Sequence, residues 1–231
     1  MARHAIHLQR EIDLLKKKIL SLGAEVEESV RRSVRALATR DSALAMLVID
    51  QDSEIDQQEV DVEEECLKIL ALHQPVANDL RLIIAILKIN NDLERIADLS
   101  VNIAERTVYL ATQDKIAIPF DFPGMADKVQ SMLQRSLDAL VNADSALARQ
   151  VCADDDEVDR MNREVYGRVE AAIRERPEQI NGLINLLSAS RYLERAADHA
   201  TNIAEDVIYL VEGVIIRHQG PDRENSPNPS G

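Results

Sequence analysis

Carboxylate and amide side chains recur at helical spacing in the first half of this 231-residue sequence. One row steps by three, four, four and three residues, which stacks side chains on one helix face, and consists of Asn91, Glu94, Asp98, Asn102 and Glu105. An earlier row steps by four, three and four residues and consists of Asp52, Asp56, Glu59 and Glu63. Oxygen ligands suit hard cations: Mg²⁺, Mn²⁺, Ca²⁺ or ferric iron, with Zn²⁺ also compatible. The spacing is therefore compatible with cation binding.

Both rows lie beside apolar stripes rather than in them. The later row is displaced by one residue, or about 100°, from the stripe through Leu93 and Ile96. The earlier row is displaced in the same way from Ile55 and Val62. We expect the carboxylates to flank a bundle core at its surface, where two antiparallel helices would bring the rows face to face. An acidic row on a helix is also commonly just a solvated face, and that alternative stays open here.

The apolar periodicity indicates long helices that would carry these rows. Asp41 is a candidate N-cap, and Pro75 and Pro177 mark turns between helices. The spacing predicts helices over about 6–39, 41–72, 76–113, 125–142, 144–175 and 178–218. Residues 114–124, which contain two prolines and a glycine, are predicted as a linker. Residues 219–231 have no apolar side chain beyond proline and are predicted as a disordered tail.

The sequence also repeats itself at a period of about 100 residues. The segment LERIAD at 93–98 recurs as LERAAD at 193–198, and DSALA at 41–45 recurs at 144–148. The predicted fold is therefore all-α, a tandem repeat of two three-helix bundles with six long helices, at residues 1–113 and 125–218. The repeat supplies a second acidic set, namely Asp155, Asp159, Glu194, Asp198, Asn202 and Glu205. Because Glu59 and Glu63 correspond to Asn162 and Tyr166, we expect fewer or weaker ions in this set.

Composition excludes several classes of protein. A formal net charge of -14 disfavours binding to nucleic acid, which needs clustered Lys and Arg. No apolar run exceeds seven residues, as at 43–49, so we expect no membrane insertion. Two cysteines make neither a disulfide framework nor a thiolate zinc site, and a reducing cytoplasm fits best.

These motifs resemble the PhoU family of phosphate-signalling proteins. The resemblance covers about residues 6–218. Its most specific part is HQPVANDLRLI at 73–83, followed by DLERIAD at 92–98 and NIAE at 102–105. An echo of the last two segments occupies 192–198 and 202–205.

The resemblance implies a cytoplasmic, homodimeric protein without enzymatic activity that negatively regulates phosphate uptake and phosphate-starvation signalling. Such a protein would be an adaptor between the ATPase subunit of the phosphate ABC transporter and a sensor histidine kinase. In the family, paired Glu/Asp-x-x-x-Asp motifs bind metal clusters. Carried over to this sequence, the ligands to Fe, Zn, Mn, Mg or Ca would be Asp52, Asp56, Glu94, Asp98, Asp155, Asp159, Glu194 and Asp198. Further candidate ligands are Glu59, Glu63, Asn102, Glu105, Asn202 and Glu205.

Two other functions remain as alternatives. The first is a structural helical scaffold without metal, whose acidic rows are only solvated. The second is a carboxylate-bridged di-metal oxidase. That chemistry usually draws on Glu-x-x-His pairs projecting into a bundle core, and this spacing does not occur in the sequence.

Overall fold

Six long helices make up the computed structural model, which describes residues 2–213, with side-chain surroundings from residue 7 onward. The helices are α1 (Ala2–Thr39), α2 (Ser42–His73), α3 (Ala77–Ala111), α4 (Phe122–Asn142), α5 (Ser145–Glu175) and α6 (Ile180–Glu212). The predicted all-α tandem repeat is confirmed. The tail predicted at 219–231 lies outside the described residues, whereas the helix predicted to reach residue 218 already ends at Glu212, where Gly213 adopts a left-handed cap. Within residues 2–213, no helix combines the length and the apolar character that a membrane span requires.

Equivalent capping residues begin the second helix of each repeat. The Asp41 carboxylate accepts a hydrogen bond from the backbone N–H of Leu44 at 3.0 Å, which confirms the predicted N-cap of α2. Asp144 caps α5 in the same way, through the N–H of Leu147 at 2.9 Å. A short 3₁₀ turn at Pro177–Gln179 separates α5 from α6, where the proline predicted a break.

The predicted linker lies two to three residues too far along the chain, because α3 ends at Ala111 instead of residue 113 and α4 begins at Phe122 instead of residue 125. The Asp121 carboxylate accepts a hydrogen bond from the N–H of Gly124 at 3.0 Å and so caps the helix. Proline is tolerated in a first helical turn, where its missing N–H would have no partner, so Pro123 does not end the helix. The connection is also anchored: Ile116 and Phe120 are buried in the core.

The helices are arranged in two layers. α2, α3, α6 and α5 are neighbours in that order, and α1 and α4 pack against each other and cover the other side. Each repeat is thus a three-helix bundle. The two bundles share one main cluster of buried side chains, to which all six helices contribute, for example through Leu15, Ile55, Leu93, Met132, Val158 and Leu193.

The interface between the bundles is an antiparallel pairing of α3 with α6. Lys88 Nζ lies 3.2 Å from Asp206 Oδ1, and farther along α3 Arg106 Nη1 lies 3.5 Å from Asn185 Oδ1. Residue numbers rise along α3 as they fall along α6, so the equivalent helices of the two repeats run antiparallel to each other. Along the helix axes, the acidic residues of α3 and α6 lie near the middle of this pairing.

Candidate metal centres

The first cluster of carboxylates consists of Asp52 and Asp56 on α2 and of Glu94 and Asp98 on α3. Both helices turn the neighbouring apolar positions inward, so the acidic row of each lies at the edge of the α2–α3 contact. The charges act across the helix pair: Asp98 on α3 influences the Asp52 carboxyl on α2, and Asp56 influences Glu94. The two rows therefore face each other, as the periodicity predicted for antiparallel neighbours.

The second cluster consists of Asp155 and Asp159 on α5 and of Glu194 and Asp198 on α6. One carboxylate oxygen from each of Asp159, Glu194 and Asp198 lies within 4.8 Å of the other two. An ion bound by oxygens at about 2.0–2.6 Å separates its ligand oxygens by roughly 3–5 Å, so these three residues fit a hard cation. Asp155 lies close enough for its charge to act on Asp198. The donor set contains only oxygen, which matches the ions predicted from the sequence.

Protonation is favoured in both clusters because negative charges crowd together. Burial and the carboxylates of Asp56 and Asp98 raise the pKa of Asp52 to about 6. Burial and the carboxylates of Glu194, Asp155 and Asp159 raise the pKa of Asp198 to about 6. The positive charge near each cluster does not fully offset this effect, so the pKa values of Glu94 and Glu194 are also raised.

Arginine neighbours only partly offset this charge. In the first cluster, Arg95 lies 3.4 Å from Glu94 and 3.5 Å from Asp98, so its partners are on its own helix and not on a neighbouring helix. In the second cluster, Arg163 lies 3.6 Å from Asp159. Both arginine side chains are mostly exposed, and pairs of this kind contribute at most about 1 kcal/mol. A bound cation could replace these ion pairs at a small cost in free energy.

A hydroxyl group belongs to the second cluster, although the sequence reasoning did not identify it. Thr201 Oγ1 donates a hydrogen bond to Asp155 Oδ1 at 3.2 Å. This bond lowers the pKa of Asp155, but burial outweighs it, so the pKa remains above its usual range. The one available signal was a difference between the repeats, since Val101 occupies the equivalent position in the first.

The six further candidate ligands lie around the clusters rather than in them. Glu59 is the nearest, because its charge acts on Glu94 and its carboxylate accepts a hydrogen bond from buried Asn90 at 3.0 Å. Asn202 instead donates to Asp92 of the first bundle at 3.3 Å. Glu105 lies 3.5 Å from Arg106, and Glu205 influences the Cys152 thiol. Glu63 is exposed and acts on Glu59, and Asn102 is half-buried one turn beyond Asp98.

The raised pKa values predict how metal-free stability depends on pH. A folded-state pKa of about 6 for Asp52 and Asp198, against 3.8 for an ordinary aspartate, means that the folded state binds protons more tightly. Their contribution to stability is complete below pH 3.8 and is lost as the pH rises to about 6. In chelator-treated buffer, we expect D52N/D198N to gain stability over the wild type between pH 5 and 7, as measured by urea unfolding.

The matched control removes two exposed aspartates outside the clusters, Asp50 and Asp127. D50N/D127N makes the same change in net charge and should follow the wild-type pH dependence. Equal pH profiles for all three proteins would show that the clusters do not crowd charge in solution.

Comparison with known proteins agrees with this arrangement. The family model described as "PhoU domain" matches twice, at residues 19–107 and 122–207. The Phosphate-specific transport system accessory protein PhoU homolog of Pseudomonas aeruginosa is 40% identical over 214 residues, which cover 92% of this chain and 88% of the relative. The homolog from Aquifex aeolicus is 36% identical over 212 residues, which cover 92% and 96%.

Two solved structures share the fold. The crystal structure of PhoU from Pseudomonas aeruginosa matches with a TM-score of 0.85 at 39% identity, covering 89% of this chain and 99% of that one. The phosphate transport system regulatory protein PhoU from Streptococcus pneumoniae matches with a TM-score of 0.80 at 29% identity, covering 90% and 98%. The family model thus matches one segment in each repeat, and these segments include both carboxylate clusters. The chain belongs to the PhoU family.

Proposed function

We propose that this protein is a cytoplasmic, metal-binding adaptor that restrains phosphate uptake and phosphate-starvation signalling. It would do so through contacts with the ATPase subunit of a phosphate ABC transporter and with a sensor histidine kinase, as a homodimer and without chemistry of its own. Membership of the PhoU family supports the regulatory part, because relatives of high identity are named accessory proteins of phosphate transport.

The observation that carries the metal-binding part is the convergence of acidic side chains from α5 and α6 in the second repeat. The three oxygens within 4.8 Å at Asp159, Glu194 and Asp198 repel one another unless a cation or protons neutralise them. In the first cluster the equivalent carboxylates act on one another across the α2–α3 contact, although among the described residues no three of them come within the same distance. Bound Mg²⁺, Mn²⁺, Ca²⁺, Zn²⁺ or iron would supply that positive charge, and the eight carboxylates would hold it.

The geometry favours this function over the two alternatives. A scaffold with solvated acids would have no reason to hold carboxylates from separate helices together, because their repulsion opposes the packing. A di-metal oxidase draws its ligands from the core of a bundle. Here the ligand candidates lie at the edge of the helix contacts, and Asp56 and Asp198 are exposed.

Affinity capture from phosphate-replete cells tests the adaptor function. The bait is the tagged full chain, compared with the variant D56A/D98A/D159A/D198A, which removes two carboxylates from each cluster. Captures are made with Mn²⁺ or with EDTA. We expect the wild type to recover the transporter ATPase and a sensor histidine kinase in the presence of Mn²⁺, and the variant to recover less of both.

A matched variant controls for the loss of four negative charges. D50A/D61A/D127A/D138A removes four exposed aspartates outside the clusters and should behave as the wild type. Failure of the wild type to recover either partner would contradict the adaptor function. Equal recovery by all three proteins would show that the clusters do not take part in partner contact.

A further inference from the structure

The second cluster contains a hydrogen bond for which the first cluster has no equivalent. Thr201 on α6 donates through its hydroxyl to Asp155 on α5, with 3.2 Å between Oγ1 and Oδ1. At the equivalent position of α3, Val101 has the same shape but no donor. Asp52, the counterpart of Asp155, therefore cannot receive such a bond from this position.

This bond fixes one carboxylate oxygen and leaves the other free. An ionised carboxylate has two oxygens and about four lone-pair sites, so Thr201 occupies only part of its capacity. Asp155 does not contribute one of the three convergent oxygens, but its charge acts on Asp198 across the α5–α6 contact. A carboxylate already held in one orientation loses less conformational freedom when it binds an ion. Hydrogen-bond donors such as Thr201 orient the side chains that bind metal ions in many proteins.

The segment around Thr201 is itself fixed from the other bundle. His199 Nδ1 lies 2.8 Å from Asp92 Oδ1, and Asn202 Nδ2 donates to the same oxygen at 3.3 Å. Asp92 belongs to α3 of the first bundle, so α6 is held on both sides of Thr201. The corresponding side chains of the first repeat, at Tyr192 and Leu99, cannot form this arrangement, because leucine has no polar group.

We infer that Thr201 is a positioning residue that orients Asp155 and makes the second cluster the tighter of the two cation sites. This inference rests on the proposed metal-binding function and reverses the order expected from the sequence, in which the second set has fewer carboxylates. The first cluster has more acidic neighbours. The second has the better-fixed ligands, and it alone among the described residues has three carboxylate oxygens within 4.8 Å of one another, an arrangement that favours tighter binding of one ion.

A reciprocal exchange between the repeats tests the inference by calorimetric titration with Mn²⁺. T201V is made in the full chain carrying D56A/D98A, which removes the first cluster. V101T is made in the full chain carrying D159A/D198A, which removes the second. We expect D56A/D98A to bind Mn²⁺ more tightly than D159A/D198A. T201V should weaken binding about tenfold, and V101T should strengthen it.

Two controls separate positioning from a general loss of structure. T201S keeps the hydroxyl and should retain affinity, whereas T201V should unfold at the same temperature as its parent in metal-free buffer. If the D56A/D98A parent binds Mn²⁺ and T201V binds it equally or more tightly, the positioning role of Thr201 is overturned. The metal-binding function would then still stand. Absence of Mn²⁺ binding by both parents and by the wild type would overturn the metal-binding function as well.

Discussion

The variant D56A/D98A/D159A/D198A is expected to lose the thermal stabilisation that Mn²⁺ gives the wild-type protein. A ligand at one hundred times its dissociation constant stabilises the folded state by about 2.7 kcal/mol for one site. For a chain of this length that corresponds to a rise of roughly 5–10 °C in melting temperature. In metal-free buffer at neutral pH the variant should be at least as stable as the wild type, because it lacks the repelling carboxylates. Differential scanning calorimetry with and without Mn²⁺ measures both effects.

The charge-matched variant D50A/D61A/D127A/D138A distinguishes specific binding from general screening of the acidic protein. It should keep the full Mn²⁺ shift. A shift of equal size in all three proteins would assign the stabilisation to non-specific neutralisation of the net charge of -14. Absence of any shift in the wild type would contradict metal binding.

Leu93→Ala is expected to destabilise the whole described structure, not only the first bundle. Leu93 is fully buried on α3, and truncation of a buried leucine costs about 2–5 kcal/mol through lost transfer energy and the remaining cavity. Because the main buried cluster extends through all six helices, both bundles should unfold in one transition at a lower temperature. Leu193→Ala, at the equivalent place in the second repeat, should give a similar result. Calorimetry and circular dichroism would follow the transition.

Leu67→Ala serves as the control because this leucine is 54% exposed on α2. We expect its melting temperature to stay close to that of the wild type. Two separate transitions in Leu93→Ala, with only one shifted, would show that the bundles unfold independently despite their shared core.

Local sequence signals predicted the helices well because each signal has a local cause. The stripe through Leu93 and Ile96 repeats at helical spacing, and both positions are buried. Asp41 begins α2 because its carboxylate reaches a backbone N–H three residues away. The start of α4 was missed because Pro123 and Gly124 are frequent in turns, whereas Asp121 turns the same segment into a helix start. Proline and glycine therefore occur both at the start of a helix and in a turn, so these residue types alone do not distinguish the two.

Periodicity also predicted which carboxylates could meet, but not how each is held. It placed Asp52 and Asp98 on facing rows, since their helices are joined by a short turn. It could not predict the Thr201–Asp155 bond or the contacts of Asp92 with α6, because these join helices through packing that no local pattern encodes. Rows with equal spacing also suggested that Asn202 would join the second cluster, whereas it points to the first bundle.

The antiparallel pairing of α3 and α6 has the geometry of a two-fold contact between identical subunits, realised inside one chain. In a true homodimer every contact across such an axis occurs twice, so a useful substitution must fit both copies at once. When the two copies are joined in one chain, they can differ in sequence, and a substitution no longer has to fit both. Lys88 meets Asp206 at one end, while the equivalent positions hold Ser188 and Arg106 at the other. Covalent fusion has thus let the two halves specialise: each site can acquire its own neighbours without changing its counterpart.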